Sequence, residues 1–360
     1  MLTLNKIIIT HFKNYDLNSF DFSQNVVGIC GLNGKGKTNL LDAIYYCCFT
    51  KSYFSGTDSL VVNFDKDGFR LEAFFEKKGH EQKVICINRG SNKKELLLNE
   101  VPYEKFSKHI GLLPAVMIAP DDIDLITGKS ENRRRYIDTV LSQMDAAYLQ
   151  QLIVYNKVLQ QRNSLLKKMD EDRNNSMSVL EILDEQLIAP GKYIHKKRGH
   201  FLNQLIPLVQ KFYHLIAEDA ETISLQYSSQ LNENSFEELL IQFRQKDLLL
   251  QRSNAGVHKD DINFQLNDQV FKNIASQGQR KSLLFALKLA EFELLKHDKG
   301  FSPLLLLDDV FEKLDNRRMQ QLLQWVCKEN NGQVFITDTH KERLEEAFDS
   351  LDVPFQIIEL

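Results

Sequence analysis

Short β-rich apolar runs, one of them strictly alternating, mark most of the first 120 residues as strands, and apolar residues recur at every third or fourth position in much of the remainder. Lys6–Thr10 and Val26–Cys30 are β-rich runs, the second ending at glycines. Over Phe69–Glu76, Phe69, Leu71, Ala73 and Phe75 share one face, and Arg70, Glu72 and Glu76 the other. Val84–Asn88 and Leu96–Leu98 predict two more strands with Asn99-Glu100 as a turn, and Pro114 and Pro120 bracket a last one, Ala115–Ala119. From about Asp121 the period lengthens. Ile137, Val140, Leu141, Met144, Tyr148, Leu152, Tyr155 and Leu159 predict one long amphipathic helix. Asp170–Ser178 is polar and reads as a loop, while Ser178-x-x-Glu181 and Ser235-x-x-Glu238 read as capping boxes opening two further helices. Strand character returns near Asn254, where Ile262, Phe264 and Leu266 alternate before an Asn267-Asp268 turn. Helix Lys281–Lys296, strand Leu304–Leu307, helix Asn316–Cys327 and strand Val334–Thr337 then succeed one another as α/β units do. The expectation is one α/β domain built from residues 1–120 and 255–360, with a mainly helical lobe, 121–254, inserted in it.

Composition narrows the class. With 43% hydrophobic and 26% charged residues, the 360-residue chain can bury a core, which excludes a largely disordered protein. Five cysteines without a C-x-x-C pair fit neither a disulfide scaffold nor a zinc ribbon. The apolar start is too short for a signal peptide, and no apolar run approaches a membrane span, so a cytoplasmic protein with no membrane partner is expected. A net charge of −4 means that any nucleic-acid contact must come from local patches.

Gly31-Leu-Asn-Gly-Lys-Gly36-Lys37-Thr38 matches G-x-x-x-x-G-K-[ST], between a predicted strand and a helical run, Asn39–Phe49. Gly31, Asn33, Gly34, Lys35, Gly36, Lys37, Thr38 and Asn39 are therefore the candidate ATP-binding residues. Glycines let backbone N–H groups turn inward around phosphate oxygens, and the helix N-terminus adds partial positive charge. Lys37 would reach the β and γ phosphates and the Thr38 hydroxyl would ligate Mg²⁺. The other reading is a plain glycine-rich turn. A second acidic element is needed, and Leu304–Leu307 followed by Asp308-Asp309 supplies it: four leucines suit a strand covered on both faces. Asp308 would bind Mg²⁺, and Asp309 would orient or deprotonate the attacking water, as the catalytic partner of Lys37. Residues 39–303 lie between the two motifs, so the two ends of the chain must meet in one sheet. Ser276-Gln277-Gly278-Gln279 opens a helix shortly upstream of Asp308 and reads either as a polar cap or as a phosphate site in the manner of an ABC signature.

These residues together resemble the RecF family, bacterial recombination-mediator ATPases related to SMC proteins, over nearly the whole chain. The likeness includes His11-Phe-Lys-Asn-Tyr15, Gly31 to Asn39, Ala119-Pro-Asp-Asp122, Arg133-Arg-Arg-Tyr-Ile-Asp138, Tyr155 to Gln161-Arg-Asn163 and Val257-His-Lys-Asp-Asp261. It closes with Ala275 to Gln279, Leu287-Lys-Leu-Ala-Glu291 and Leu306-Leu-Asp-Asp-Val310. The resemblance implies an ABC/SMC-type P-loop ATPase domain with a helical lobe in place of the SMC coiled coil. It implies a weak, Mg-dependent, DNA-stimulated ATPase that forms an ATP-dependent homodimer clamping DNA. Ser276–Gln279 would then complete the site of the other protomer. It also implies work with RecR and RecO in loading recombinase, and support of the SOS response. Asp315 would belong to the D-loop, although Glu312-Lys313 stands before Leu314-Asp315 where the family often has Ser-Glu. Ala255-Gly256-Val257 replaces the usual Gly-Pro. The switch falls in Thr337–His340, with Thr339 and His340 both candidates. Asp309 stands where many ABC ATPases have Glu, which suits slow hydrolysis.

Local charge is uneven. Residues 191–214 hold Lys192, Lys196, Lys197, Arg198 and Lys211 with no acid, and residues 129–168 are also basic, while 215–247 are acidic. Such segregation suits phosphate contacts to duplex or gapped DNA, with Lys192, Lys196, Lys197 and Arg198 as the candidates. A solvated helix face is the usual explanation of either patch taken alone, and Arg133–Arg135 have a nucleotide or inter-lobe role as an alternative. Rival functions are an ABC transport ATPase, an OLD-type nuclease-associated ATPase and a structural nucleotide-dependent dimer without DNA.

Overall fold

The computed structural model describes residues 1–90, 93–168, 173–217, 221–312 and 316–360. The chain divides into two compact units: Met1–Ile123 with Lys211–Asp219 and Ser276–Leu360, and Asp124–Gln210 with Ala220–Ala275.

The first unit contains two sheets. One has five parallel strands in the order Phe355–Glu359, Val26–Cys30, Val334–Asp338, Leu304–Leu307 and Ala115–Ile118. Every residue of the middle three and of Ala115–Ile118 is buried, as continuous apolar runs in a parallel sheet require. The other sheet is antiparallel, in the order Tyr15–Asp21, Leu2–Phe12, Phe69–Lys77, His80–Arg89, Lys93–Leu98 and Val101–Pro102. Phe69, Leu71, Ala73 and Phe75 face inward as their alternation requires. Leu2, Leu4, Ile7, Ile9 and Phe12 of this sheet, Leu40, Leu41 and Ile44 of helix Lys37–Phe49, and Leu304, Leu306 and Phe335 of the parallel sheet share one core cluster. The helix is buried on all sides, which is why its apolar residues show so little amphipathic bias. Strand Tyr15–Asp21 has no counterpart in the sequence reading. It is an edge strand with four consecutive exposed residues, so nothing in its polarity distinguishes it from a loop.

In the second unit the expected single helix is two, Ser130–Met144 and Ala146–Lys168. Asp145 leaves helical geometry at φ −132°, and its carboxylate accepts hydrogen bonds from the backbone N–H of Ala147 (2.8 Å) and Tyr148 (3.1 Å), capping the second helix. The expected cap at Ser178 is also corrected. Helix Arg173–Ala217 already runs through that position, so the Ser-x-x-Glu spacing there is part of a helix face and not its start. Ser235 does form the predicted box, accepting from the Glu238 N–H while the Glu238 carboxylate accepts from its own. The strand at Asp261–Leu266 pairs with Ile223–Ser228 and Gln269–Val270 inside this unit. The last segment of the first unit therefore begins at Ser276, where residue 255 was expected.

Candidate functional site

Strand Val26–Cys30 delivers the chain to Gly31, and the helix begins at Lys37. Gly36 adopts φ +114°, and a Cβ there would lie within 2.9 Å of the Asn14 amide and Tyr15 hydroxyl, so only glycine fits. Gly34, at φ +84°, has nothing within 4 Å of such an added atom, leaving the crest of the loop open. The opening motif supplies a brace that the sequence reading left without a role. Asn14 donates to the Lys35 carbonyl (3.1 Å) and accepts from the Asn39 amide (2.7 Å), and the Tyr15 hydroxyl donates to the Gly36 carbonyl (3.1 Å). Asn33 and Lys35 project from the exposed crest.

The Lys37 ammonium donates to the loop's own carbonyls, Gly31 at 2.7 Å and Leu32 at 3.3 Å, so it lies inside the cradle. Across 270 residues of sequence, the Thr38 hydroxyl meets both carboxylate oxygens of Asp308 at 3.0 and 2.9 Å. Asp308 emerges from Leu304–Leu307, and its backbone N–H donates to Ile118 of the neighbouring strand. Burial raises its pKa, opposed by hydrogen bonds from Thr337 and Thr38 and by the Lys37 charge. Asp309 comes next at φ +48°, and its N–H donates to the Thr337 hydroxyl at 2.9 Å. Thr337 makes more contacts here than its place in the sequence announces. It marks only the start of the switch segment there, yet it touches both aspartates.

Among the described residues no three or more His, Cys, Asp or Glu side chains group to hold a metal alone. Thr38 and Asp308 are hard oxygen donors beside a phosphate cradle, which fits Mg²⁺, an ion that takes few protein ligands and completes its shell with water and phosphate.

Ser276 caps helix Gln277–Lys299. Its hydroxyl accepts from the Gln279 N–H, and the Gln279 side chain accepts from the Ser276 N–H, all at the surface. A Cβ on Gly278 would lie 2.5 Å from Nη1 of Arg318, so a guanidinium sits over this helix start. Thr339 and His340 succeed strand Val334–Asp338, and Asp338 accepts from the His340 N–H at 2.7 Å and pairs with Arg343 at 3.0 Å. Asp315 lies outside the described residues.

The second unit corrects the charge reading. Arg198 is 2% exposed, bound to Asp138 (2.8 Å) and Asp260 (2.7 Å), so its guanidinium is consumed internally and offers no DNA contact. Arg133 grips Asp261 and Arg134 donates to the Asp260 carbonyl within this unit. Arg162 joins Asp184, Asp247 and Ser253 at 2.6 to 2.8 Å. His258 is held by the Tyr155 hydroxyl, and burial lowers its pKa to about 4. Lys192 and Lys196 are exposed and Lys197 is half-buried; Lys192 pairs with Glu237 and Lys197 with Asp145.

No helix among the described residues is long and apolar enough to cross a membrane. The family model for the RecF/RecN/SMC N terminal domain matches residues 3–357. The chain is 41% identical over 357 residues to the DNA replication and repair protein RecF of Flavobacterium johnsoniae, covering 99% of each. It is 40% identical to the protein of that name from Bacteroides thetaiotaomicron, over 99% of this chain and 96% of that one. Among solved structures, the recombination mediator protein RecF with ATPrS, in the RecFOR pathway, superposes with a TM-score of 0.89 at 29% identity, covering 100% of this chain and 96% of that one. The Smc head domain of Pyrococcus furiosus, at 14% identity and a TM-score of 0.56 over 96% of this chain and 92% of that one, shares the fold.

Proposed function

This chain belongs to the RecF family, and from that premise we propose that it is an ATP-hydrolysing clamp on DNA acting in replication and recombinational repair. The observation that carries the reading is the meeting of Thr38 with Asp308, which joins the phosphate cradle to its acidic partner. In the proposal, backbone N–H groups of Gly31–Gly36 and the Lys37 ammonium bind the phosphates, and Thr38 and Asp308 hold Mg²⁺. The ion would offset charge on the transferring phosphoryl group. Asp309 aligns the attacking water and accepts its proton.

One protomer lacks half of the electrostatic stabilisation. Ser276–Gln279 of a second copy would supply it, presenting a helix N-terminus to the phosphate, with Asp315 in the D-loop and Thr339 or His340 in the switch. ATP binding would thus drive dimerisation on duplex or gapped DNA, and slow hydrolysis would release it. The solved relative, a recombination mediator in a RecFOR pathway, supports RecR and RecO as partners and recombinase loading as the outcome, and the proposal extends to a link with the SOS response and to a place in the cytoplasm. Relatives matched over nearly their full length favour this reading over a transport ATPase, an OLD-type nuclease or a purely structural dimer.

Sedimentation of the wild type and Ser276→Arg with and without ATP and Mg²⁺ tests it. The wild type becomes dimeric only with nucleotide, and the variant binds ATP but stays monomeric. A wild type that remains monomeric at saturating ATP overturns the clamp.

A further inference from the structure

Thr337 is fully buried in strand Val334–Asp338, in register with Ile29 of the strand that leads to the phosphate loop. Its hydroxyl donates to Oδ1 of Asp308 at 2.9 Å and accepts from the N–H of Asp309 at 2.9 Å. A hydroxyl is both donor and acceptor, and this one uses both capacities on adjacent residues. Asp309 stands at φ +48°, a region that L residues with a Cβ enter at some cost, so its turn needs an external hold. The Thr337 oxygen is such a hold. Asp308 receives a second hydroxyl from Thr38, on the opposite motif. Thr337 thus ties Asp308 from its own sheet and keeps the carboxylate in place when Thr38 turns to another partner.

Resting on the ATPase reading above, we propose that Thr337 is a positioning residue for hydrolysis. One hydroxyl sets the carboxylate that holds the metal and aims the next residue, the carboxylate that acts on water. A valine of nearly the same shape keeps the packing but removes the donor, and leaves the Asp309 N–H without its acceptor. Because the effect falls on orientation, it should appear in turnover and spare nucleotide binding.

The test compares wild type, Thr337→Val and Thr337→Ser in steady-state ATP hydrolysis, in binding of a fluorescent ATP analogue and in ATP-driven dimerisation by sedimentation. The expected result for valine is kcat lower by roughly 10- to 100-fold, with KM and analogue affinity within about threefold of wild type. Serine, which restores the hydroxyl, should return kcat to within about threefold. Valine turning over at the wild-type rate overturns the proposal. So does loss of kcat and nucleotide affinity together in both variants, which would mark Thr337 as a packing residue only. If valine does not fold, serine and Thr337→Ala carry the same comparison, and equal turnover in those two refutes it. A wild type that binds but never hydrolyses ATP would instead refute the underlying ATPase reading, so the two failures are distinguishable.

Discussion

Glu291 lies on the helix that begins with Ser276, is 3% exposed, and its Oε2 makes no hydrogen bond. The Lys288 ammonium is 3.8 Å away and favours its ionised form. Burial opposes this more strongly, Asp122 adds to the opposition, and the pKa rises to about 7. Tyr45 also lies within electrostatic reach of it, while the Tyr53 hydroxyl is bound to Asp122 and its ring is 5.7 Å from the Lys288 ammonium. The raised folded pKa gives the sign. Glu291 contributes stability fully below the unfolded value near 4.5, loses it as pH rises toward 7, and adds no further slope above that. A shift from 4.5 to about 7 corresponds to roughly 3 kcal/mol between those limits, as an upper bound.

Glu291→Gln keeps the shape and removes the titration. Trp325 is the chain's single tryptophan and packs edge-on to Phe292, the next residue on that helix, so its fluorescence reports unfolding of this unit. Urea titrations at pH 5, 6, 7 and 8 should show the variant gaining on the wild type by up to about 3 kcal/mol as pH rises. Lys288 keeps Asp122 and the Tyr53 hydroxyl as partners in the variant, and its attraction to Glu291, present only when that group is ionised, is already contained in the shifted pKa. A wild-type-to-variant difference equal at pH 5 and pH 8 refutes the reasoning, whatever its absolute size.

Asp309→Glu, which lengthens the carboxylate by one methylene, should raise the rate of ATP hydrolysis, measured by phosphate release; a variant no faster than wild type removes the slow-timer explanation. Charge reversal at Lys192 and Lys196 should weaken DNA binding at low salt and lower the salt slope by about 0.9 for each phosphate no longer neutralised, with ATP affinity unchanged. Fluorescence anisotropy across a salt series checks this, and an unaltered slope takes these lysines off the DNA surface. Arg162→Leu should cost roughly 3–5 kcal/mol of stability in the second unit, because it strands the buried carboxylates of Asp184 and Asp247. Urea unfolding followed by circular dichroism measures it, and a loss below about 1 kcal/mol contradicts the network's importance.

Much of the site could be read from the chain because its chemistry needs particular residues at particular spacings. Gly36, Lys37 and Thr38 have few substitutes, and four leucines before Asp308 announce a buried strand. The sequence puts Thr337 only at the start of the switch segment, because a hydroxyl at the end of an apolar strand carries no signature; only its two hydrogen bonds show that it joins both aspartates. The edge strand Tyr15–Asp21 escaped because four consecutive exposed residues, on both of its faces, leave no alternation to mark a strand. The break at Asp145 escaped because the apolar stripe continues across it, and only the carboxylate turned back on the Ala147 and Tyr148 N–H groups ends one helix and starts the next. Charge was the least legible property. Arg133, Arg162 and Arg198 count as basic in a tally, yet their guanidinium groups hold carboxylates within the second unit. Several runs that identify the family, from Arg133 to Asp138, from Gln161 to Asn163 and from Val257 to Asp261, are therefore the internal polar framework of that unit.

The order of the parallel sheet explains why the two motifs can stand so far apart in sequence. Val26–Cys30, from the start of the chain, lies between Phe355–Glu359 and Val334–Asp338 from its end, and Ala115–Ile118 covers the far edge of Leu304–Leu307. Neither end of the chain can complete this sheet alone, because each would leave an inner strand with unpaired backbone groups in an apolar core. The pairing that satisfies those groups also brings Thr38 to Asp308 and Thr337 to both aspartates. In the folded chain, the closed sheet and the assembled site are thus one arrangement.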